Sequence, residues 1–270
     1  MTTGFSVQDA LRLDGRKALV VGGGGHIGRA ACQVLAELGA RIAIADLNEG
    51  GMTRTLEERA VAACCADPLP VDLRDADATR AMTRRAIDTL NGLDILIHTA
   101  AFVNQANTVG FASPFAEQRI EPWRDALEIN LTSAFTIVRE AAPTLSEGGA
   151  GTVVLFGSIY GLGGPDNRLY EGMEGVGNAA AYAASKGGIL QLSRWLATSL
   201  APRVRVNAIS PGGIERGQDP TFIERYAART PMGRMGTEDD LKGAIAFLSS
   251  DLSTYVTGQN IVVDGGWTAW

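Results

Sequence analysis

The chain has 270 residues, enough for one α/β core and short for two, so a single domain spanning residues 1–270 is expected. Hydrophobic residues make up 46% of it, which excludes a disordered chain, and a net charge of -6 provides no footprint for nucleic acid or an anionic membrane. Three cysteines (Cys32, Cys64, Cys65) and two histidines (His26, His98) lack metal-ligand spacing, so no metal is expected and the thiols read as buried in a reducing compartment.

The segment up to Asp14 shows no basic stretch followed by an apolar core, and no apolar run reaches bilayer length. A cytoplasmic protein without a membrane partner is expected. The first apolar run, residues 18–21, leads into Gly22, Gly25 and Gly28, spaced G-x-x-G-x-x-G, and then into a helical pattern over residues 27–38. Glycine lets the backbone turn sharply and approach a pyrophosphate, whose charge is stabilised by the free N–H groups and positive end of the following helix. Asp46 closes the second run, residues 41–45, where a carboxylate can accept ribose hydroxyl bonds and repel a 2′-phosphate. The expected cofactor is therefore NAD rather than NADP, with Arg29 and Arg41 as the residues able to overturn that preference.

Further apolar runs follow at residues 69–71, 94–98, 152–156, 203–208 and 260–263, each separated by helical stretches. The alternation predicts a doubly wound α/β fold, a Rossmann arrangement with a seven-stranded parallel sheet. Ligands of such sheets bind beyond the carboxyl ends of the strands, which singles out Gly22, Asp46, Asp72, His98, Ser158 and Pro211. Two long stretches, 101–122 and the glycine-rich 157–180, interrupt the rhythm at those ends and are expected to build a small-molecule substrate pocket.

Tyr182 and Lys186 stand four positions apart at the start of a helical stretch, hence on one face. A free phenol titrates near 10, too high for a general base at neutral pH, whereas a nearby ammonium and a positive nicotinamide lower it. Ser158, after the fifth strand, is placed to donate a hydrogen bond to a substrate oxygen. Asn130, a polar residue in an apolar helical stretch, is placed to hold a water that relays protons from Lys186. Tyr160 and Tyr170 are alternative phenols, but Tyr170 is followed at the fourth position by Glu174, which cannot lower a phenol pKa. His26 and His98 read as structural side chains bonded to backbone.

These motifs together resemble the short-chain dehydrogenase/reductase family, over nearly all of residues 15–266. The resemblance implies an oxidoreductase whose Tyr-x-x-x-Lys is Tyr182 and Lys186, whose serine is Ser158 and whose asparagine is Asn130. It implies a proline-glycine turn at Pro211-Gly212 beside the nicotinamide, with Ile214 following, and an adenine contact at Asp72 and Leu73. It also adds Ala100, His26 and Ile27 to the cofactor-binding set. The ending, Val256 to Gly266, is similar to that of the compact branch and implies a homotetramer, with Trp267 and Trp270 as oligomer or core contacts.

Two features depart from the compact branch: His26 stands where its glycine pattern needs glycine, and His98-Thr99-Ala100-Ala101 replaces its Asn-Asn-Ala-Gly. Both are similar to the extended branch, rich in nucleotide-sugar enzymes. The mixture resembles dehydrogenases of bacterial sugar-modification and nonulosonic-acid pathways. A sugar or polyol substrate is expected, because Asp166, Asn167, Arg168 and Glu171 in the second insertion are able to bond several hydroxyls. The competing readings are an epimerase or dehydratase that uses bound NAD transiently, disfavoured because Ile159 rather than an acid follows Ser158, and a non-catalytic NAD-binding regulator, disfavoured by the intact Ser158, Tyr182 and Lys186.

Overall fold

The computed structural model describes residues 6–103, 108–173 and 177–270. Seven parallel strands form one sheet: β1 (Lys17–Val21), β2 (Arg41–Asp46), β3 (Leu69–Pro70), β4 (Ile95–His98), β5 (Gly151–Phe156), β6 (Val204–Pro211) and β7 (Asn260–Val263), in the order β3-β2-β1-β4-β5-β6-β7. The chain winds outward from β1 to β3, then returns beside β1 with β4 and winds the other way. The β1/β4 seam is therefore the switch point at which such sheets open a ligand crevice.

Helices cover both faces: α1 (Val7–Leu11), α2 (His26–Glu37), α3 (Glu49–Leu56), α4 (Arg59–Cys64), α5 (Ala76–Leu90), α6 (Ile120–Leu127), α7 (Ser133–Glu147), α8 (Ala180–Leu200), α9 (Pro220–Arg229) and α10 (Asp239–Ser249). Because successive side chains of a strand alternate between faces, Leu19 and Val21 of β1 pack with α5, α7 and α8, while Ala18 and Val20 pack with α2 and α10. Burial on both faces explains why the central strands read as unbroken apolar runs rather than alternating ones.

The strands differ from the sequence reading at their ends, for identifiable reasons. β3 keeps only two residues, since Pro70 has no N–H to continue an edge ladder. β6 runs three residues beyond Ala208, because Ile209, Ser210 and Pro211 find register partners in Ile261, Val262 and Val263. Asn130 lies in no ordinary helix: Glu128–Thr132 is a π-helical turn between α6 and α7. Such turns relieve the 3.6-residue spacing and re-aim one side chain.

Candidate active site

A cavity of about 700 Å³ opens at the carboxyl ends of the strands, across the switch point. Its dinucleotide end is shaped by backbone. Gly22 has φ of +84°, and a Cβ there would lie 2.4 Å from the Ala100 nitrogen. A Cβ on Gly28 would lie 2.1 Å from the Gly22 oxygen, so only glycine lets α2 start this close to β1. Gly25 caps α2 with no side-chain bond, and the first turn carries no acidic residue, which leaves a positive helix end facing the cleft. His26, Ile27, Leu73 and Ala100 also line the wall.

Asp46 ends β2 at the cleft, where its Oδ2 accepts the Gly24 N–H at 2.9 Å and its Oδ1 the Asn48 N–H at 2.8 Å. These bonds fix the carboxylate at the cleft wall. Arg41 is at the opposite end of the same strand, and Arg29 faces Glu58 at 3.7 Å, so neither offsets Asp46 at the wall. Asp72 also lines the cleft, but Arg74 bonds both its carboxylate oxygens and holds its pKa below the ordinary value. The glycine cradle, the helix end and the Asp46 carboxylate together fit a nicotinamide dinucleotide.

At the reacting end, the first turns of α8 are tied down from three directions. Lys186, 3% exposed, donates from Nζ to the Phe156 carbonyl at the end of β5, 2.7 Å away. Asn130 Nδ2 donates to Ser185 Oγ at 2.8 Å, and Ser185 in turn donates to the Tyr182 carbonyl. Gln118, from the first insertion, accepts the Ala180 N–H at 3.0 Å and donates to the Ser113 and Asn178 carbonyls. α8 has no side-chain cap of its own, so Gln118 supplies one across 62 residues of sequence. Nothing in the local pattern around Gln118 signals this.

Ser158, Tyr182, Lys186, Pro211, Gly212 and Ile214 line this end. Asn130 does not, because both of its polar side-chain atoms are engaged behind the wall: Nδ2 on Ser185, and Oδ1 accepting the Phe102 N–H at 2.5 Å. Its side chain braces α8 and the chain after β4 rather than facing a water in the cleft. Burial raises the Tyr182 phenol above its ordinary value, against the lowering effects of the Ser158 hydroxyl and then of the Arg216 charge. Burial lowers the Lys186 ammonium to about 8, and its Nζ lies 5.6 Å from the Tyr182 ring centre.

The substrate end corrects the expected polar lining. Asp166, Asn167, Arg168 and Glu171 are absent from the wall: Asp166 is held by Arg168 at 2.8 Å and Arg229 at 3.0 Å, and Arg225 bonds the Glu171 carbonyl. The wall is instead made by Tyr160, Tyr170, Phe222, Tyr226 and Met235, with Arg216 and Gln218. The Tyr160 and Tyr170 hydroxyls bond each other at 3.1 Å, and burial raises the Tyr160 phenol. Glu174, the neighbour that argued against Tyr170, lies outside the described residues. Trp267 is a core contact, stacked on Tyr226 at 4.2 Å, whereas Trp270 is exposed. Beyond Gly212 and Ile214, the lining residues Arg216, Gln218, Phe222, Tyr226 and Met235 are scattered, with no motif spacing that marks them in the sequence.

Both histidines have side-chain partners, and His98 has the backbone bonding expected of it as well. A backbone bond acts on the His98 ring, and because Ser133 Oγ donates to the Ile129 carbonyl, His98 Nε2 is the donor to Oγ at 2.9 Å. His26 begins α2 and lies 3.6 Å from Glu238.

The family model for enoyl-(acyl carrier protein) reductase matches residues 24–268. The chain is 31% identical over 264 residues to the 2,5-dichloro-2,5-cyclohexadiene-1,4-diol dehydrogenase of Sphingobium indicum, covering 96% of this chain and 98% of the relative. Its structure is similar to a short-chain dehydrogenase from Leptospira borgpetersenii with bound NAD+ (TM-score 0.83, 31% identity, 99% of this chain and 98% of that one). It is likewise similar to a gluconate 5-dehydrogenase from Burkholderia cenocepacia in complex with NADP and tartrate (TM-score 0.84, 28% identity, 98% and 100%). The chain belongs to the short-chain dehydrogenase/reductase family and is an oxidoreductase of that family.

His98 gives the site a pH signature. Burial, and then the Lys186 charge, push its pKa from 6.5 to about 3, so the folded protein refuses a proton that the unfolded chain accepts. Its contribution is neutral above the unfolded value, and stability falls as pH drops from about 6.5 towards about 3. His98→Gln, which retains a donor for Ser133, is expected to flatten this slope of up to about 1.4 kcal/mol per pH unit in urea unfolding. An unchanged acid slope in the variant contradicts the assignment.

Proposed function

We propose that the protein is an NAD-dependent oxidoreductase that moves a hydride between the nicotinamide and a secondary alcohol or ketone. The observation that carries this reading is the convergence of Ser158, Tyr182 and Lys186 on the same cleft as the glycine cradle. When bound, the nicotinamide supplies the hydride acceptor or donor. Ser158 orients the substrate oxygen against Tyr182, and the Tyr182 hydroxyl exchanges the proton. Lys186 would hold the cofactor ribose, and its Nζ lies 5.6 Å from the Tyr182 ring centre, while the charge that lowers the phenol is that of Arg216. Asn130 serves this chemistry by bracing Ser185, one residue before Lys186.

NAD is favoured over NADP because the fixed Asp46 carboxylate opposes a 2′-phosphate. The aromatic substrate end favours a cyclic alcohol or ketone, packed by a ring face on Tyr170 and Phe222. A sugar derivative meets that requirement through the CH face of its ring, without hydroxyl contacts from the second insertion. No described helix is long and apolar enough to cross a membrane. The three free thiols accord with a reducing, cytoplasmic setting.

Tyr182→Phe is expected to leave NAD affinity and the unfolding midpoint unchanged and to lower turnover by about 10² to 10⁴. Wild-type turnover in this variant, with loss instead in Tyr160→Phe, contradicts the assignment of the acid.

Asp46→Ser is expected to narrow the preference for NAD over NADP by about 1 to 3 kcal/mol in measured dissociation constants. A wild-type protein that binds NADP more tightly contradicts the cofactor reading.

A homotetramer is proposed on the large apolar side chains left exposed on two faces: Phe135 and Trp195 on α7 and α8, and Tyr255 and Trp270 around β7. Light scattering is expected to give four chains per particle. A monomer at micromolar concentration contradicts it.

A further inference from the structure

A dinucleotide diphosphate carries two negative charges, and the glycine segment from Gly22 to Gly28 contains neither lysine nor arginine. The end of α2 supplies the equivalent of about half a positive charge. Of the lysines and arginines among the described residues, Lys186 and Arg216 line the cavity that also holds Ser158 and Tyr182, whereas Arg29 and Arg54 line an adjoining pocket on the far side of Gly24, Gly25 and His26. Lys186 is buried and directed at the Phe156 carbonyl. Arg216 is different: it stands on the loop after β6, about one-third exposed, with its surroundings built to aim it.

Three sets of bonds fix that loop. Ile214 and Gly236 form a bridge, with Glu215 N–H donating to the Gly236 carbonyl and Gly236 N–H to the Gly213 carbonyl, both at 2.9 Å. Gln218 brackets the turn, accepting the Arg216 N–H and donating to the Ile214 carbonyl, each at 2.7 Å. Glu238 then takes the guanidinium by its Nε at 2.8 Å. Among the described residues this is the one side-chain hydrogen bond Arg216 makes, so its Nη groups remain for a ligand.

The direction of the guanidinium is set by the same carboxylate oxygen. Glu238 Oε1 also lies 3.6 Å from Nδ1 of His26, the first residue of α2, which places Arg216 beside the helix end. Its charge is felt at the Tyr182 phenol as well. Arg216 thus stands between the anion-binding end and the reacting end of one cleft.

We propose that Arg216 closes on the cofactor diphosphate opposite the N-terminus of α2, with Glu238 holding Nε so that the Nη groups meet the phosphate oxygens. The assignment rests on the dinucleotide reading given above. A guanidinium fork suits this task better than an ammonium, because it holds its aim through Nε while bonding phosphate through Nη. The cost of the arrangement is that Glu238 offsets part of the positive charge, and that cost yields a test separating electrostatics from mere structural support.

Calorimetric titration of the full chain with ADP-ribose and with adenosine provides that test, since the two ligands share the adenine end and differ in the diphosphate. Arg216→Gln is expected to weaken ADP-ribose binding at least about tenfold, as befits one lost charge-assisted interaction, and to leave adenosine binding and the unfolding midpoint unchanged. The loss is expected to shrink as ionic strength rises. Arg216→Lys is expected to fall between the two. Glu238→Gln keeps an acceptor for Nε and removes the opposing charge, so ADP-ribose binding should be equal or tighter. ADP-ribose affinity within twofold of wild type in Arg216→Gln overturns the proposal, as does equal weakening in Arg216→Gln and Glu238→Gln, the mark of a purely structural pair. Failure of the wild-type protein to bind ADP-ribose at all overturns the dinucleotide reading first, and the proposal with it.

Discussion

The hydrogen bond from Lys186 to the Phe156 carbonyl ties α8 to the sheet, and much of the candidate site depends on it. An ammonium in this position is costly, since burial brings its pKa down to about 8. The bond offsets part of that cost and in exchange fixes the start of α8 against the end of β5. Asn130 through Ser185, and Gln118 through Ala180, complete the hold from two other directions. Tyr182, on the same two turns, is thereby placed over a cleft whose other side is the glycine cradle.

The dinucleotide end works by exclusion of atoms. Gly22 and Gly28 leave no space for a Cβ, so backbone N–H groups and a helix end approach the ligand directly. Asp46 has two backbone donors fixing its carboxylate at the cleft wall. The reacting end works by placing charge. The phenol of Tyr182 is raised by burial, and the groups acting against this are the Ser158 hydroxyl and Arg216. Sequence spacing points to Lys186 as the cation beside the phenol, whereas the charge that lowers the phenol in the fold is Arg216, from the loop after β6.

What was legible in the sequence is what local periodicity carries. The buried runs, the glycine spacing and the four-residue interval from Tyr182 to Lys186 are chain-local, and they yield the sheet, its switch point and the main residues of the cleft. What was illegible depends on contacts between distant segments. Gln118 caps a helix that begins at Ala180, and Arg216 is aimed by Glu238. Asn130 was visible as an odd polar residue, but its direction depends on a π-helical turn that hydrophobic pattern cannot reveal. Asp166 and Arg168 looked available for a polar ligand. They bond each other, with Arg229 joining them, as charged neighbours in a loop often do.

Net transfer of a hydride to the dinucleotide, as proposed, is measured by the mass balance of a turnover. Incubation of the full chain with NAD and a panel of cyclic secondary alcohols, sugars among them, is predicted to yield one equivalent of NADH and one of ketone per alcohol consumed. Conversion of a substrate with no net NADH, and with NAD retained on the protein, contradicts the account and points instead to an epimerase or dehydratase.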